Sequence, residues 1–297
     1  MSENIKINVI ALFRNSAAHI SRTLEQLSNL TSIKGIEFSF FFFENDSKDN
    51  TKEILSNWCV LFGGTLVSEN YNAPSFGSID SNIRTSLLAF YRNKIKRIAA
   101  RTPSNYTLVL DSDLEFTNED FNELYKVITP KFSNDDIVGV IGSCVQNIPD
   151  YTFQQGMESQ YDLYCFVDKS GGRGMYFSSS PFVNADDTVN FIGGRPVEVM
   201  SGFGGMALYV SWAYNNEGVN YSGESASEHV PLNFALRKFG PIFAVPTCRP
   251  RATVDLSTIN LEACMKLGLQ QAEQYKMVNQ LRLLSTDNEY KFKFGKQ

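Results

Sequence analysis

Two aspartates one residue apart, Asp111 and Asp113 flanking Ser112, follow directly on the apolar run Tyr106, Thr107, Leu108, Val109, Leu110. Five such residues read as a buried parallel strand, so both carboxylates leave the backbone together at a sheet edge. Open α/β sheets bind ligands at that edge. Two carboxylates so placed can hold one hard divalent cation, and such a cation also carries substrate phosphates. A metal-bound diphosphate is the chemistry these residues suggest first. The other acidic pairs, Asp135-Asp136 and Asp186-Asp187, have no preceding apolar strand and read as loops or helix caps.

Glu44 and Asp46 follow a second apolar run, Ile36 to Phe43, and so converge on the same edge. There they can accept hydrogen bonds from a base imide or a ribose hydroxyl, or cap the next helix. Arg84, Arg92 and Asn93 belong to the helix before the Asp111 strand, where an arginine can clamp phosphate bidentately. Lys94, Lys96 and Arg97 read as its solvated face. Glu228 and His229 open a helix after the polar stretch from Tyr221 to Ser227. The helix dipole alone favours a carboxylate there. Glu228 can also take a proton from an acceptor hydroxyl, and His229 can bind a metal or a phosphate. His19 reads as a surface or satisfied core residue.

The elements that must position these groups are legible in the apolar periodicity. Ile5 to Phe13 reads as a first strand, followed by a cap at Asn15 or Ser16 and an amphipathic helix through Ile20, Leu24, Leu27 and Leu30. After the phenylalanine-rich second strand, the polar turn from Glu44 to Thr51 caps a helix from Lys52 to Leu61. A short strand at Thr65 to Val67 leads into a Gly/Ser/Asn-rich loop, Glu69 to Ser81. The helix from Asn82 to Ala100 is expected to bury Ile83, Leu87, Leu88, Tyr91, Ile95 and Ile98. Ile137 to Val145 reads as another apolar strand, and Pro241 to Val245 as the last. Between them lie an irregular, aromatic-rich segment from Pro149 to Pro196, the glycine-bearing stretch Met200 to Tyr209, and a helix from Val230 to Phe239. Some of the aromatics there can stack on sugars, and most read as core. The expected layout is one domain over 1–255, with halves 1–115 and 116–255, and a helical extension over 256–297.

Composition narrows the classes. The chain has 297 residues, long enough for a substantial core, and its net charge of −5 argues against an electrostatic grip on nucleic acid. Five cysteines without regular spacing suggest reduced structural thiols rather than a disulfide or metal framework. With two histidines, a multi-histidine zinc site is excluded and base chemistry must rest on carboxylates. No run reaches membrane-spanning length and the first residues lack signal-peptide features, so a cytoplasmic protein, soluble or peripheral to the inner membrane surface, is expected.

Taken in order, Phe13-Arg14, Glu44-Asn45-Asp46-Ser47 with Asp49 and Thr51, Tyr91-Arg92-Asn93, Asp111-Ser112-Asp113, Ser201-Gly202-Phe203-Gly204-Gly205 and Glu228-His229 resemble the GT-A-fold nucleotide-sugar glycosyltransferases. The resemblance covers about residues 7 to 250. The Glu-Asn-Asp-Ser and Arg-Asn elements look like the capsule-associated mannosyltransferase family, and the Gly-Gly and Glu-His elements like bacterial and viral sugar transferases. The resemblance implies an α/β fold, a Rossmann-like open, mostly parallel sheet flanked by helices. It implies transfer of a hexose from a UDP- or GDP-hexose to a hydroxyl of a glycan, lipid-linked or other acceptor, as in polysaccharide biosynthesis. Donor contacts would fall on Ala11, Phe13, Arg14, Glu44, Asp46, Arg84, Arg92, Asn93 and Asp111. Mn²⁺ or Mg²⁺ would sit at Asp111, Asp113 and His229, with Glu228 as catalytic base. One departure is that inverting members often carry Glu-Asp where this chain has Glu228-His229. Two rival classes are a sugar-phosphate nucleotidyltransferase and a non-catalytic carbohydrate-binding protein on the same scaffold. The first typically opens with a glycine-rich loop, and Leu12-Phe13-Arg14-Asn15 contains no glycine.

Overall fold

The computed structural model describes residues 4–74, 82–129, 136–147, 158–173 and 180–252. The expected tail helix, the end of the loop after Glu69 and parts of the irregular segment lie outside the described residues. The first half alternates β1 (Ile5–Phe13), α1 (Ile20–Leu30), β2 (Ile36–Asn45), α2 (Thr51–Phe62), β3 (Thr65–Glu69), α3 (Asn82–Ala99) and β4 (Tyr106–Asp111). The second half runs through β5 (Leu114–Glu115), α4 (Asn118–Ile128), β6 (Gly139–Gly142), β7 (Val145–Asn147), β8 (Glu158–Gln160) and β9 (Val167–Asp168). It continues with α5 (Ala185–Ile192), β10 (Val197–Ser201), β11 (Met206–Val210), α6 (Ser211–Tyr214), α7 (His229–Leu236), β12 (Ile242–Val245) and β13 (Arg251–Ala252).

Nine strands form one sheet in the order β3-β2-β1-β4-β11-β6-β12-β10-β9, and β5-β13-β7-β8 form a smaller one. From β3 to β4 every pairing is parallel, whereas beyond β4 the antiparallel insertion of β11 and the antiparallel β10 and β9 make the sheet mixed. Both faces are covered, which explains why β2 can be apolar at consecutive positions. Phe40 and Phe42 turn to one face, where both rings meet Trp58 of α2. Phe41 and Phe43 turn to the other, and Phe43 stacks on Tyr91 of α3 at 5.3 Å.

Three local expectations are revised. Helix α1 starts only at Ile20, because Asn15 and Ser16 are tied to the turn before α2: Ser16 N–H donates to Thr51 Oγ1 and Asn15 Oδ1 accepts from Lys48 N–H. Helix α3 buries Thr85, Ala89, Arg92, Lys96 and Ala99 beside Tyr91 and Ile95, and leaves Ile83 65% exposed. A basic residue turns inward there when a carboxylate or carbonyl waits for it. Finally, α4 and α5 were not expected. The first is closed by a reciprocal Thr117–Asp120 capping box, and the second by Asn184, whose Oδ1 accepts from the N–H groups of Asp186 and Asp187. Among the described residues no helix is long and apolar enough to cross a membrane. Cys59, Cys144, Cys165 and Cys248 are buried free thiols.

Candidate functional site

The parallel register aligns the strand ends into a row. Glu44 lies opposite Phe13, and Asp111 lies opposite Leu12. Asp111 N–H donates to the Gly205 carbonyl at 2.8 Å, and Thr23 of α1 donates to the Ser112 carbonyl at 2.8 Å, so the Asp-Ser-Asp turn is pinned from two sides. Asp111 keeps a side-chain exposure of 26% and therefore opens toward solvent. Burial, countered by Arg92 but reinforced by Asp113, pushes its carboxyl up to about 6. Asp113 is also raised, first by burial, while the charges of His19, Arg92 and Arg84 act in the opposite sense. His19, which the sequence reads as a surface or satisfied core residue, lies within reach of Asp113, and its Nε2 is buried without a hydrogen-bond partner.

Arg92 is the hub. Its Nη2 donates to Asp111 and its Nε to Glu228, both at 2.8 Å, and its guanidinium lies over the rings of Phe203 and Tyr221. Both Arg92 and Glu228 are nearly solvent-free. The fork that could clamp a diphosphate is therefore engaged with two carboxylates of the protein itself. His229 stacks on Phe203 at 3.8 Å, with its Nε2 3.5 Å from Glu228 Oε1. Burial and the charge of Arg92 hold it well below the usual imidazole range, so it is neutral.

A row of α3 side chains fastens the chain between Val219 and Glu228. Asn93 Nδ2 donates to the Tyr221 carbonyl at 2.8 Å while its Oδ1 accepts from Tyr221 N–H at 2.9 Å, the pairing a neighbouring strand would offer. Thr85 donates to the Gly223 carbonyl, and any side chain at Gly223 would collide with the Ser86 backbone. Lys96 donates to the Val219 carbonyl and sits 5.3 Å over the Tyr214 ring. The expectation that Lys96 is solvated fails because this carbonyl lies beneath it. Burial, with the charge of Arg97, pulls Lys96 down to about 8 from an unperturbed 10.5. Between those values the unfolded chain holds the extra proton, so stability is expected to rise with pH across that window. The melting-temperature difference between wild type and Lys96→Met checks this, since it must move in favour of the wild type from pH 8 to pH 10. A flat difference would refute it.

On the other side of Asp111, Glu44 Oε1 accepts from Ser47 N–H at 2.9 Å and Oε2 from the Ser68 hydroxyl at 2.5 Å. Asp46, at a left-handed φ of 53°, accepts from the N–H groups of Tyr71 and Asn72. Burial would raise its carboxyl, but these bonds and those from Asn45 and Ala73 outweigh it and hold it below the usual range. Arg14 donates to the carbonyls of Ala73 and Pro74. Asp46 and Arg14 thus shape the loop after β3 at the sheet edge, and Glu44 ties the turn after β2 to β3. The side chains of Ala11 and Phe13 point into the core, Phe13 against Phe42.

One residue in this neighbourhood escaped sequence reasoning. Asp162, after β8, has a left-handed φ of 61°, and the Cys165 thiol donates to its Oδ2 at 2.9 Å. Burial, opposed by that bond and then reinforced by Asp111 and Glu228, pushes its carboxyl up to about 7. Nothing local in Gln160-Tyr161-Asp162-Leu163 marks it, because its companions come from β4, α3 and the start of α7.

Among the described residues no three His, Cys, Asp or Glu side chains gather as a metal site, so His229 is not brought together with Asp111 and Asp113 as one ligand set. The aspartate pair by itself fits a small divalent ion. Its oxygens are hard donors, their mutual repulsion favours an added cation, and Mg²⁺-like ions commonly take one or two carboxylates and complete their shell with phosphate oxygens and water.

No family model matches the chain, and no curated protein does. Among solved structures, the 1–349 fragment of S. aureus TarS superposes with a TM-score of 0.50 at 15% identity, over 84% of this chain and 60% of that one. The same fragment in complex with UDP gives 0.50 at 14% identity, over 85% and 61%. A mannosyltransferase of Pyrobaculum calidifontis, in complex with GDP-Man and Mn²⁺, gives 0.48 at 15% identity, over 84% and 57%. The chain therefore spans about 60% of the length of the TarS fragment. The fold is that of the GT-A glycosyltransferases, as the ordered motifs implied.

Proposed function

We propose that the protein is a metal-dependent glycosyltransferase that moves a hexose from a nucleoside-diphosphate sugar to an acceptor hydroxyl. The observation that carries this reading is the aspartate pair Asp111 and Asp113 at the end of a central strand, linked through Arg92 to Glu228. Asp111 and Asp113 would hold Mn²⁺ or Mg²⁺, which when bound supplies a Lewis acid for charge developing on the leaving diphosphate. Arg92 orients Asp111 and Glu228 through its two ion pairs. Glu44, Asp46, Arg14 and the loop they organise would receive the base and ribose, and the backbone at Ala11 and Phe13 would line that side. Arg84 lies within the field of Asp113 and would face the diphosphate. Glu228, beside the segment fastened to α3, would border the acceptor. Because TarS was crystallised with UDP, UDP-hexoses are the first donors to try, followed by GDP-hexoses.

A melting panel of these donors with Mn²⁺ tests the reading. A donor at about a hundred times its dissociation constant is expected to stabilise the native state by about 2.7 kcal/mol. Turnover is read as nucleoside diphosphate released only when Mn²⁺ is present. Release of pyrophosphate from a nucleoside triphosphate and a sugar phosphate would instead establish a nucleotidyltransferase, and sugar binding without either product a carbohydrate-binding protein.

A further inference from the structure

We infer that the Tyr91 hydroxyl, together with the Arg14 Nε–H, donates to a carbonyl oxygen of the donor's nucleobase, so that the site takes uracil or guanine and not adenine. This rests on the transferase reading above and deepens its donor side. Tyr91 is 4% exposed, and its hydroxyl is buried without a hydrogen-bond partner among the described residues. A buried hydroxyl left unpaired costs free energy, and a phenylalanine would fill the same space without that cost. The packing would be kept, because the ring makes it: Phe43 stacks on Tyr91 at 5.3 Å, and the Tyr71 ring lies 5.6 Å away.

Tyr71 opens the short stretch of chain on which Asp46 and Arg14 converge. Asp46 accepts from the N–H groups of Tyr71 and Asn72, and Arg14 donates from its two Nη atoms to the carbonyls of Pro74 and Ala73. Tyr91 lies within the fields of both Asp46 and Arg14. The acceptors there are already engaged, since Asp46 Oδ1 holds those two N–H groups and Oδ2 holds the Asn45 amide. With both Nη atoms of Arg14 committed to the loop, its Nε is left buried and without a partner. An arginine N–H can only donate. Burial, then the charge of Asp46, holds the Tyr91 hydroxyl above the usual phenol range, so it keeps its proton and donates as well.

Two buried donors in one neighbourhood, with no protein acceptor for either, call for an acceptor brought by a ligand. The strand register says which part of the ligand comes here. Arg14 follows Phe13, which lies opposite Glu44, and Leu12 lies opposite Asp111, so these donors stand along the same sheet edge as the aspartate pair. A nucleoside diphosphate with its phosphates at Asp111 extends its base along that edge. Uracil and guanine present carbonyl oxygens on their edges, whereas adenine presents an amino group there and would set donor against donor.

The test measures binding to the full chain by calorimetry with Mn²⁺, using UDP, GDP, ADP and inorganic pyrophosphate as probes. Wild type is expected to bind UDP or GDP at least about tenfold tighter than ADP. Tyr91→Phe is expected to lose about tenfold in affinity for that nucleotide, while ADP and pyrophosphate change by less than about twofold. Its melting temperature without ligand is expected to hold or rise, because an unpaired buried hydroxyl has been removed. Equal loss for UDP, GDP and ADP would mean a ribose contact, and a lower melting temperature would mean a partner within the protein; either overturns the assignment. So does unchanged binding of the preferred nucleotide, or a wild-type preference for ADP. A wild-type protein that binds none of the nucleotides overturns the transferase reading itself, and this inference with it.

Discussion

Asp113→Asn is expected to lower turnover by at least about 10³-fold while the melting temperature holds or rises. Lewis-acid stabilisation of a leaving diphosphate is worth several kcal/mol, and each 1.36 kcal/mol is about tenfold in rate, so losing one of two carboxylate ligands removes most of it. Stability moves the other way because folding buries both carboxyls, which raises each, and the Asp113 charge adds to that rise at Asp111. Asp111, shifted from 3.8 up to about 6, binds its proton more tightly in the folded state. Without a cation, wild-type stability is therefore expected to fall as pH rises through that window. The asparagine removes one repulsive neighbour and shrinks that fall. Melting curves from pH 4 to pH 7, with and without Mn²⁺, read both effects, and the Mn²⁺-dependent shift should vanish in the variant. Full activity of Asp113→Asn in excess chelator would end the metal assignment.

The strands of the first half were legible because burial on both faces writes itself as an unbroken apolar run. Ile5–Phe13 matches its expected bounds, β4 ends at Asp111, and β2 runs on through Glu44 to Asn45. Helix α4 was overlooked although Thr117 and Asp120 carry a capping box in the sequence. Arg92 and Lys96 were harder. Lys96 reads as part of a basic face and Arg92 as a phosphate clamp, and what holds them inward is chain far away: Asp111 is 19 residues on from Arg92 and Glu228 136, and Val219 is 123 on from Lys96. Asn93 likewise reads as a ligand-facing amide until Tyr221 is found paired with it, 128 residues away. The glycines around Phe203 were legible as places of close approach. Gly204, at φ 57°, would set a Cβ 2.1 Å from the Gly142 carbonyl, but that Phe203 lies under the Arg92 guanidinium depends on tertiary packing. Sequence pattern reports local burial and turn chemistry, whereas long-range polar partners leave no periodic trace.

Arg92→Met is expected to cost about 3 kcal/mol of stability, a drop of roughly 6–12 °C in melting temperature. Methionine replaces only the apolar stem, so the loss falls on the guanidinium, with its two ion pairs and its place over Phe203 and Tyr221. Removing one partner of a buried pair leaves the other uncompensated, and here Glu228 is left beside a neutral His229. The cost stays near the lower end of the range for buried pairs because Asp111 retains access to water. Arg92→Lys should recover only part of it, since one ammonium cannot reproduce a fork that reaches Asp111 and Glu228 from Nη2 and Nε at once. The deficit of Arg92→Met is expected to narrow at pH 5, where Asp111 can take up a proton and no longer needs a cation. Melting the two variants at pH 5 and pH 7 separates the possibilities. A deficit that is the same at both values, or equal in Lys and Met, would mean that Arg92 acts through packing rather than by joining the two carboxylates.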